Sequence, residues 1–430
     1  MSKSAAWICA QIGAREHFAV PRALHSDGRL QALYTDVWAN EIMRQWAKDR
    51  LPDSLRALAW RWHAELASAQ VTSWNARSLA WTAHSRWLAR QRADGRFFGY
   101  LDFGQRFASA VRDALRQQPG LKPDTIYFGY DTGALETLEW LRERGIASVV
   151  DQMDPNRVET ELVREEETRW PGWQLRTTDI PEEYFCRRER EWELADRIIV
   201  NSEFSRRALL AQGVPAAKLV VIPLSYEAPT ANPLPSIRDH RQPLRVLWLG
   251  QVILRKGIQY LIEAARLLQQ ENIQFDVVGP IGISAAAMAT APANVSFHGR
   301  TGRDQIGRWY SQADVFVLPT VSDGFALTQL EAMAHGVPVI ATPNCGDVVT
   351  HETDGLLVPI REAKMLAQAL QRYAQDAHLL RAHKEAAPRK ARQFTLAHLT
   401  KQLFQLQTDL LGHRQTDDAK LSVCNLAFGL

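Results

Sequence analysis

The sequence predicts an α/β protein built from two doubly wound parallel-sheet domains. Three observations predict it. Short apolar runs alternate with helical spacing along most of the chain. The alternation stops once, in a proline-crowded stretch, and then restarts; and 430 residues exceed what one hydrophobic core holds. A prior of about 100–200 residues per domain leaves room for two such units.

Residues 6–10 form an apolar run ending in Gln-Ile-Gly, and Phe18, Ala19, Ala23 and Leu24 follow at helical spacing, which reads as strand, glycine turn, helix. A strand is expected at 125–128, a helix over 132–143 and a strand at 147–150. A helix ends across 190–195, a strand covers 197–200, and a helix over 205–211 stops at Gly213. Pro223, Pro229, Pro233, Pro235 and Pro243 then crowd the aperiodic stretch 222–244. We place the linker at 226–244, between a domain at 1–225 and one at 245–395. In the second domain strands are expected at 245–249, 275–278, 295–298, 315–318, 338–341 and 356–358. Helices are expected at 257–270, 305–311, 327–334 and 363–374. A last helix over 396–411, within a C-terminal segment 396–430, is expected to pack back on the first domain, and 416–430 shows no strong period.

Hydrophobic residues make up 46% and charged residues 23%, close to an average globular chain, which argues against bulk disorder. No apolar run reaches the roughly 18 residues of a spanning helix. The opening residues lack the parts of a signal peptide, so the expected location is cytoplasmic. Cys9, Cys186, Cys345 and Cys424 are scattered without a CxxC pair, which points to reduced, packed thiols and to neither a zinc site nor a disulfide framework. A net charge of +3 is too small for nucleic-acid binding over the whole chain. Between Asp36 and Gly120, however, 13 Lys and Arg face 8 Asp and Glu, interleaved with Trp38, Trp46, Trp60, Trp62, Trp74, Trp81 and Trp87. Core or cleft lining is the stronger reading of those tryptophans. Peripheral contact with the inner face of an anionic membrane is the second.

The chemistry concentrates in residues 319–336, PTVSDGFALTQLEAMAHG, which leave a predicted strand and enter a helix. Free backbone N–H groups and the helix dipole at such a turn make an anion site that suits a diphosphate. Asp323 in the turn and Glu331 two helical turns on can face one cleft at the carboxyl ends of the strands, where carboxylates accept hydrogen bonds from paired hydroxyls. Residues 246–257, VLWLGQVILRKG, repeat the strand, turn and helix start; Gly250 allows close backbone approach and Lys256 carries an ammonium for a pyrophosphate.

These stretches resemble the donor-binding signature of glycosyltransferase family 4, with two acidic residues separated by seven, Gly-Phe after the first and Ala-Met-Ala after the second. Motif-level resemblance covers about residues 198–395 and includes Asn201-Ser-Glu-Phe-Ser205 and Val221-Ile-Pro-Leu-Ser225. It implies a GT-B fold, with two Rossmann-like domains facing a central cleft, the N-terminal one for the acceptor and the C-terminal one for the donor. It further implies retaining, metal-independent transfer from a nucleotide-diphosphate sugar to an unidentified acceptor (glycan, lipid-linked or small molecule), with no cofactor. Lys256 would neutralise the leaving diphosphate, Glu331 would bind the ribose hydroxyls and Asp323 the transferred sugar. Gly324, Phe325 and Ala326 would offer backbone to the phosphates, and Gly299 and Arg300 would line the base. Gly13, in the loop after the first strand, would lie near sugar and acceptor, with Arg15, Glu16 and His17 clustered at the cleft.

The chain departs from the family pattern at four places. Asp323 stands where Glu is usual. Gln251 replaces an Arg, which Arg255 could supply. Pro223-Leu-Ser-Tyr-Glu227 replaces Pro-Tyr-Gly-Val-Asp. A mid-domain His is missing, where Asp151 or Gln152 could substitute. A nucleotide-sugar epimerase or phosphorylase would share the architecture, and a non-catalytic sugar-nucleotide-binding subunit would fit the departures.

Overall fold

The computed structural model describes residues 6–39, 41, 44, 57–90, 95–118, 120–176, 179–227 and 242–427, with the side chains of 57, 59, 303 and everything beyond 412 left out. Most of the expected linker and Trp46 lie outside the described residues.

Two parallel sheets carry the fold. The first contains β1 (Trp7–Gln11), β2 (Leu30–Thr35), β3 (Val71–Ser73), β4 (Ile126–Tyr130), β5 (Ala147–Gln152), β6 (Arg197–Val200) and β7 (Leu219–Val221), in the order β3-β2-β1-β4-β5-β6-β7. The second contains β8 (Leu244–Leu249), β9 (Ile273–Val278), β10 (Val295–Gly299), β11 (Val315–Leu318), β12 (Val339–Ala341) and β13 (Gly355–Leu357), in the order β10-β9-β8-β11-β12-β13. β1, β4 and β11 are buried at every position, because helices cover both faces of a parallel sheet and its strands become continuous apolar runs. Strand order reverses beside β1 and beside β8, so crevices open at the carboxyl ends of β1 and β4 and of β8 and β11.

Several elements went unpredicted for identifiable reasons. The helix Gly95–Gln117 holds Gly95, Gly99 and Gly104, poor helix formers that serve packing: a Cβ at Gly104 would lie 2.3 Å from the Thr132 carbonyl oxygen. The helix Arg157–Arg169 is so charged that its apolar stripe is faint, and Ala377–Ala391 carries an interior Pro388.

The final helix, Leu396–Ala427, runs past the predicted end at 411. Leu399, Leu403, Leu406 and Leu410 are buried against Trp7, Phe18 and Leu24 of the first domain, and Trp7 Nε1 donates to Gln407 Oε1 at 2.7 Å. Each such leucine contributes about 1.5–3 kcal/mol.

The tryptophan-rich region divides. Trp74 packs on Tyr34 and Phe107, Trp81 on Phe103 and Trp38 on Phe18, whereas Trp60 and Trp87 are exposed. Cys9 and Cys345 are buried thiols. Cys186 is exposed, against the expectation of packing, because it lies on the solvent side of the helix Glu182–Leu194. No helix among the described residues is long and apolar enough to cross a membrane.

Candidate active site

The loop after β8 and the turn after β11 are locked together. Gly257 takes a left-handed conformation (φ +78°), and a Cβ there would lie 1.9 Å from the Pro319 carbonyl oxygen. The Arg255 carbonyl accepts from the Val321 N–H and from Thr320 Oγ1, both at 2.9 Å. That packing sets Lys256 Nζ against the Asp323 carboxylate. Arg255 Nη1 reaches the same place, 3.7 Å from Asp323 Oδ1, 3.0 Å from the Ser322 carbonyl oxygen and 3.2 Å from Glu159 Oε2. Arg255 thus brings a second cation to Asp323, whereas Gln251 is exposed. Burial and the Arg255 guanidinium pull the Lys256 ammonium down to about 7, and the Glu159 carboxylate works the other way.

The turn itself is partly used by the fold. The N–H groups of Val321, Asp323 and Ala326 donate to the carbonyls of Arg255, Asn344 and Cys345. Ala326 N–H is thus committed to the Cys345 carbonyl. The N–H groups of Phe325, Leu327 and Thr328 have no acceptor among the described residues, and the helix Leu327–Ala334 has no side-chain N-cap, so its N-terminus keeps its attraction for an anion. Gly324 approaches the first domain: a Cβ there would lie 2.5 Å from the Met153 carbonyl oxygen and 2.8 Å from Asn201 Nδ2. The Phe325 ring is buried, near Gly346 and Phe394.

Glu331 sits further along the same helix, where Oε2 accepts from Tyr310 OH at 2.8 Å. Burial raises both neighbouring phenols, Tyr310 well above its ordinary value and Tyr226 to about 12, and Glu331 adds to each shift. At the edge of the sheet Gly299 is left-handed (φ +68°) and its carbonyl accepts from the Gly279 N–H at 2.8 Å; Arg300 is exposed. Gly250 stands at the end of β8, and a Cβ on Gly279 would lie 1.7 Å from its carbonyl oxygen.

In the first domain Gly13 (φ +83°) donates its N–H to Asp36 Oδ1 at 2.8 Å, and Arg61 pairs with that carboxylate at 3.0 Å. Glu16, His17 and Phe18 follow in left-handed conformations, an unusual run for residues with side chains. Arg15 lies 3.6 Å from Asp131 and over the Tyr130 ring, and His17 is exposed. Asp151, at the end of β5, is buried and its Oδ1 has no hydrogen-bond partner among the described residues. Burial pushes its carboxyl well above the usual range, and Glu16 and Asp131 reinforce the shift. Burial likewise pushes Glu16 up to about 7, with Arg15 opposing.

This has a measurable consequence. A carboxyl raised in the folded state binds more protons there than in the unfolded chain. Its stabilising proton is fully present below the ordinary carboxyl value near 4.5 and is lost as pH rises through about 7. Stability measured by denaturant should fall from pH 5 to pH 8, and Glu16→Gln should gain about 1–2 kcal/mol at pH 8 and little at pH 5. Asp151 acts with the same sign, so the substitution reduces the fall without abolishing it. A pH-independent difference between variant and parent would refute the assignment.

Beyond Gly13, Arg15, Glu16, His17 and Asp151, sequence reasoning missed two carboxylates that the first domain sends to the second. Glu159 and Glu166, seven residues apart on one face of the helix Arg157–Arg169, both reach the second domain. Glu159 Oε2 accepts from Ser322 Oγ at 3.0 Å as well as pairing with Arg255. Glu166, fully buried, accepts from Gln259 Nε2 at 2.8 Å, Tyr260 OH at 2.7 Å and Arg361 Nε at 2.5 Å. The segment after this helix continues the contact, with Leu175 N–H donating to the Gly282 carbonyl at 3.0 Å. The seven-residue spacing of two carboxylates in an otherwise solvated-looking helix was the available signal.

Two parallel-sheet domains meeting over the carboxyl ends of their strands define the GT-B class of fold. Residues 243–376 match the family described as Glycosyl transferases group 1. An amylovoran biosynthesis glycosyltransferase from Erwinia amylovora is 31% identical over 40% of this chain and 46% of its own length. A putative colanic acid biosynthesis glycosyltransferase from Escherichia coli is 25% identical over 48% and 55%. The chain thus spans about half the length of these curated relatives. Among solved structures, a sucrose-phosphate synthase from Thermosynechococcus elongatus superposes with a TM-score of 0.61 at 19% identity, covering 95% of this chain and all of that one. The Anabaena protein HepE, solved with UDP, gives 0.58 at 13% identity, covering 94% of this chain and all of that one.

Proposed function

We propose that this protein is a retaining, metal-independent glycosyltransferase of family 4 that moves a sugar from a nucleotide-diphosphate sugar to a saccharide acceptor. The observation that carries the reading is the meeting of Lys256, Arg255 and Asp323 beside an unsatisfied helix N-terminus at the β8–β11 crevice. A diphosphate placed there competes with Asp323 for the two cations and releases that carboxylate to the hydroxyls of the sugar. Glu331, about one turn into the helix, takes the ribose hydroxyls. As the anomeric C–O bond to the diphosphate breaks, the two cations and the helix N-terminus stabilise the charge that develops on the departing oxygen. The acceptor oxygen attacks from the same face and its proton passes to the leaving phosphate, so the anomeric configuration is kept.

UDP-, GDP- and ADP-sugars should be screened by thermal shift; a donor at 100 times its Kd adds about 2.7 kcal/mol of stability. UDP-sugars come first, since HepE is solved with UDP and with UDP and glucose. Transfer to a saccharide with retained configuration supports the reading. Rearrangement of the donor without acceptor, or phosphate-dependent release of sugar, would replace it with an epimerase or a phosphorylase. Binding without any turnover would leave a sugar-nucleotide-binding subunit. Glu331→Ala should weaken nucleotide-sugar binding and lower kcat/KM about 100-fold, while the free sugar phosphate, which lacks ribose, should bind unchanged.

Trp60 and Trp87, exposed in the basic region, support contact with an anionic membrane surface. Flotation with anionic liposomes at low salt, lost at high salt, tests it; indifference to lipid charge and salt ends it.

A further inference from the structure

A cavity of about 900 Å³ opens between the domains and shares only Arg255 and Gln251 with the groups assigned to the donor. Its walls come from the start of the helix Gly95–Gln117, the helices Arg157–Arg169 and Glu182–Leu194, and two loops of the second domain. Lys256, Asp323, Glu331 and Gly299 do not line it, whereas Gln251 and Arg255 do. Because Arg255 also reaches Asp323, the cavity's inner end abuts the place where the sugar–diphosphate bond would break.

The lining is mixed: aromatic rings, the arginines Arg96, Arg176, Arg188 and Arg255, and the carboxylates Asp154, Glu159 and Asp179, of which Asp154 is paired with Arg188 and Glu159 with Arg255. Phe97 packs edge-on against Tyr184 (centroids 5.2 Å apart) and against Tyr100 (6.0 Å), and Tyr100 is 48% exposed. Arg188 lies over the Tyr184 ring, and the half-exposed Tyr100 leaves ring surface to the cavity, which suits the C–H face of a sugar. Cations stand at the outer end. Arg96 lies over the rings of Phe97 and Tyr100, and neither it nor Arg176 has a carboxylate partner among the described residues. Arg188, deeper in, is already committed to Asp131 and Asp154. The volume falls in the range of small-molecule sites, about 300–1,000 Å³, and exceeds one sugar ring.

We propose that this cavity is the acceptor site and takes a saccharide carrying an anionic group, a carboxylate or a phosphate, away from the reacting hydroxyl. A sugar ring lies on Tyr100 beside Phe97 and Tyr184, the anion meets Arg96 and Arg176, and the hydroxyl end points to Arg255. Arginine suits both anions through paired N–H donors. This proposal rests on the glycosyltransferase reading above.

The test is calorimetry on the full chain, saturated with UDP, using cellobiose, a glucuronic-acid-containing disaccharide and a short-chain alkyl glycosyl phosphate as probes. At least one anionic probe should bind about tenfold tighter than cellobiose. The double variant Arg96→Ala/Arg176→Ala should remove that preference and leave UDP affinity unchanged. Preference for the uronate assigns a carboxylate, and preference for the phosphate probe assigns a phosphate. Equal binding of all three, or a preference that survives the double variant, overturns the proposal. Failure to bind UDP in the first place would instead overturn the donor-site reading. A Tyr100→Ala variant, altered at an exposed ring, should weaken all three probes together; no loss for any of them counts against the aromatic platform.

Discussion

Lys256→Ala should lower turnover at least ~100-fold, the scale of losing one electrostatic contact to charge that develops at the transition state. The argument is local. Lys256 is carried by the left-handed Gly257 turn, which the Pro319 carbonyl pins from the neighbouring loop, so the ammonium is held in place before any ligand arrives. Without it Asp323 faces only Arg255, 3.7 Å away and shared with Glu159, and the site gains net negative charge where a diphosphate must sit. Lys256→Arg should recover only part of the rate, because a planar guanidinium cannot occupy the ammonium's position against Asp323. Steady-state nucleotide release checks both variants, with a melting curve to confirm folding. A rate within a few-fold of the parent for Lys256→Ala would place the leaving-group site elsewhere.

Glu166→Ala should destabilise the protein by about 3–5 kcal/mol, as expected when a buried charge loses its partner. The substitution strands the Arg361 guanidinium, the Tyr260 hydroxyl and the Gln259 amide at the contact between the domains. Arg361 retains Glu165 at 2.7 Å, a carboxylate more open to water and a weaker substitute. Glu166→Gln keeps the hydrogen-bond acceptor and should cost less. Thermal unfolding of the alanine variant should begin earlier and separate into two transitions as the domains lose their coupling. A single transition at the parent's temperature would show that the contact adds nothing to stability.

The sequence made some of this legible and hid the rest for physical reasons. Buried parallel strands are short apolar runs bounded by turns, so 197–200 and 315–318 were read with the bounds observed. The turn around Asp323 stood out because its strand-to-helix pattern lies in consecutive residues, and local patterns are visible in a line of text. Glu159, Glu166 and Arg188 act across the fold and offered only charge and, for the two glutamates, a shared helix face, both common properties of a solvated helix. Arg255 lay between. Its position beside Lys256 was plain, but its direction depended on the Ser322 carbonyl, which only packing could reveal. Asp151 was noticed as a replacement for a missing histidine; its burial beside Glu16, which changes its protonation, required the three-dimensional neighbourhood.

Trp7 finds its hydrogen-bond partner 400 residues later, at Gln407. During synthesis the first sheet must therefore emerge with one apolar flank uncovered and stay so while the whole second domain is made. A nascent chain halted near 395 would carry that flank open, a natural target for a chaperone, and the first half of this protein reaches its final form only after the second half is complete.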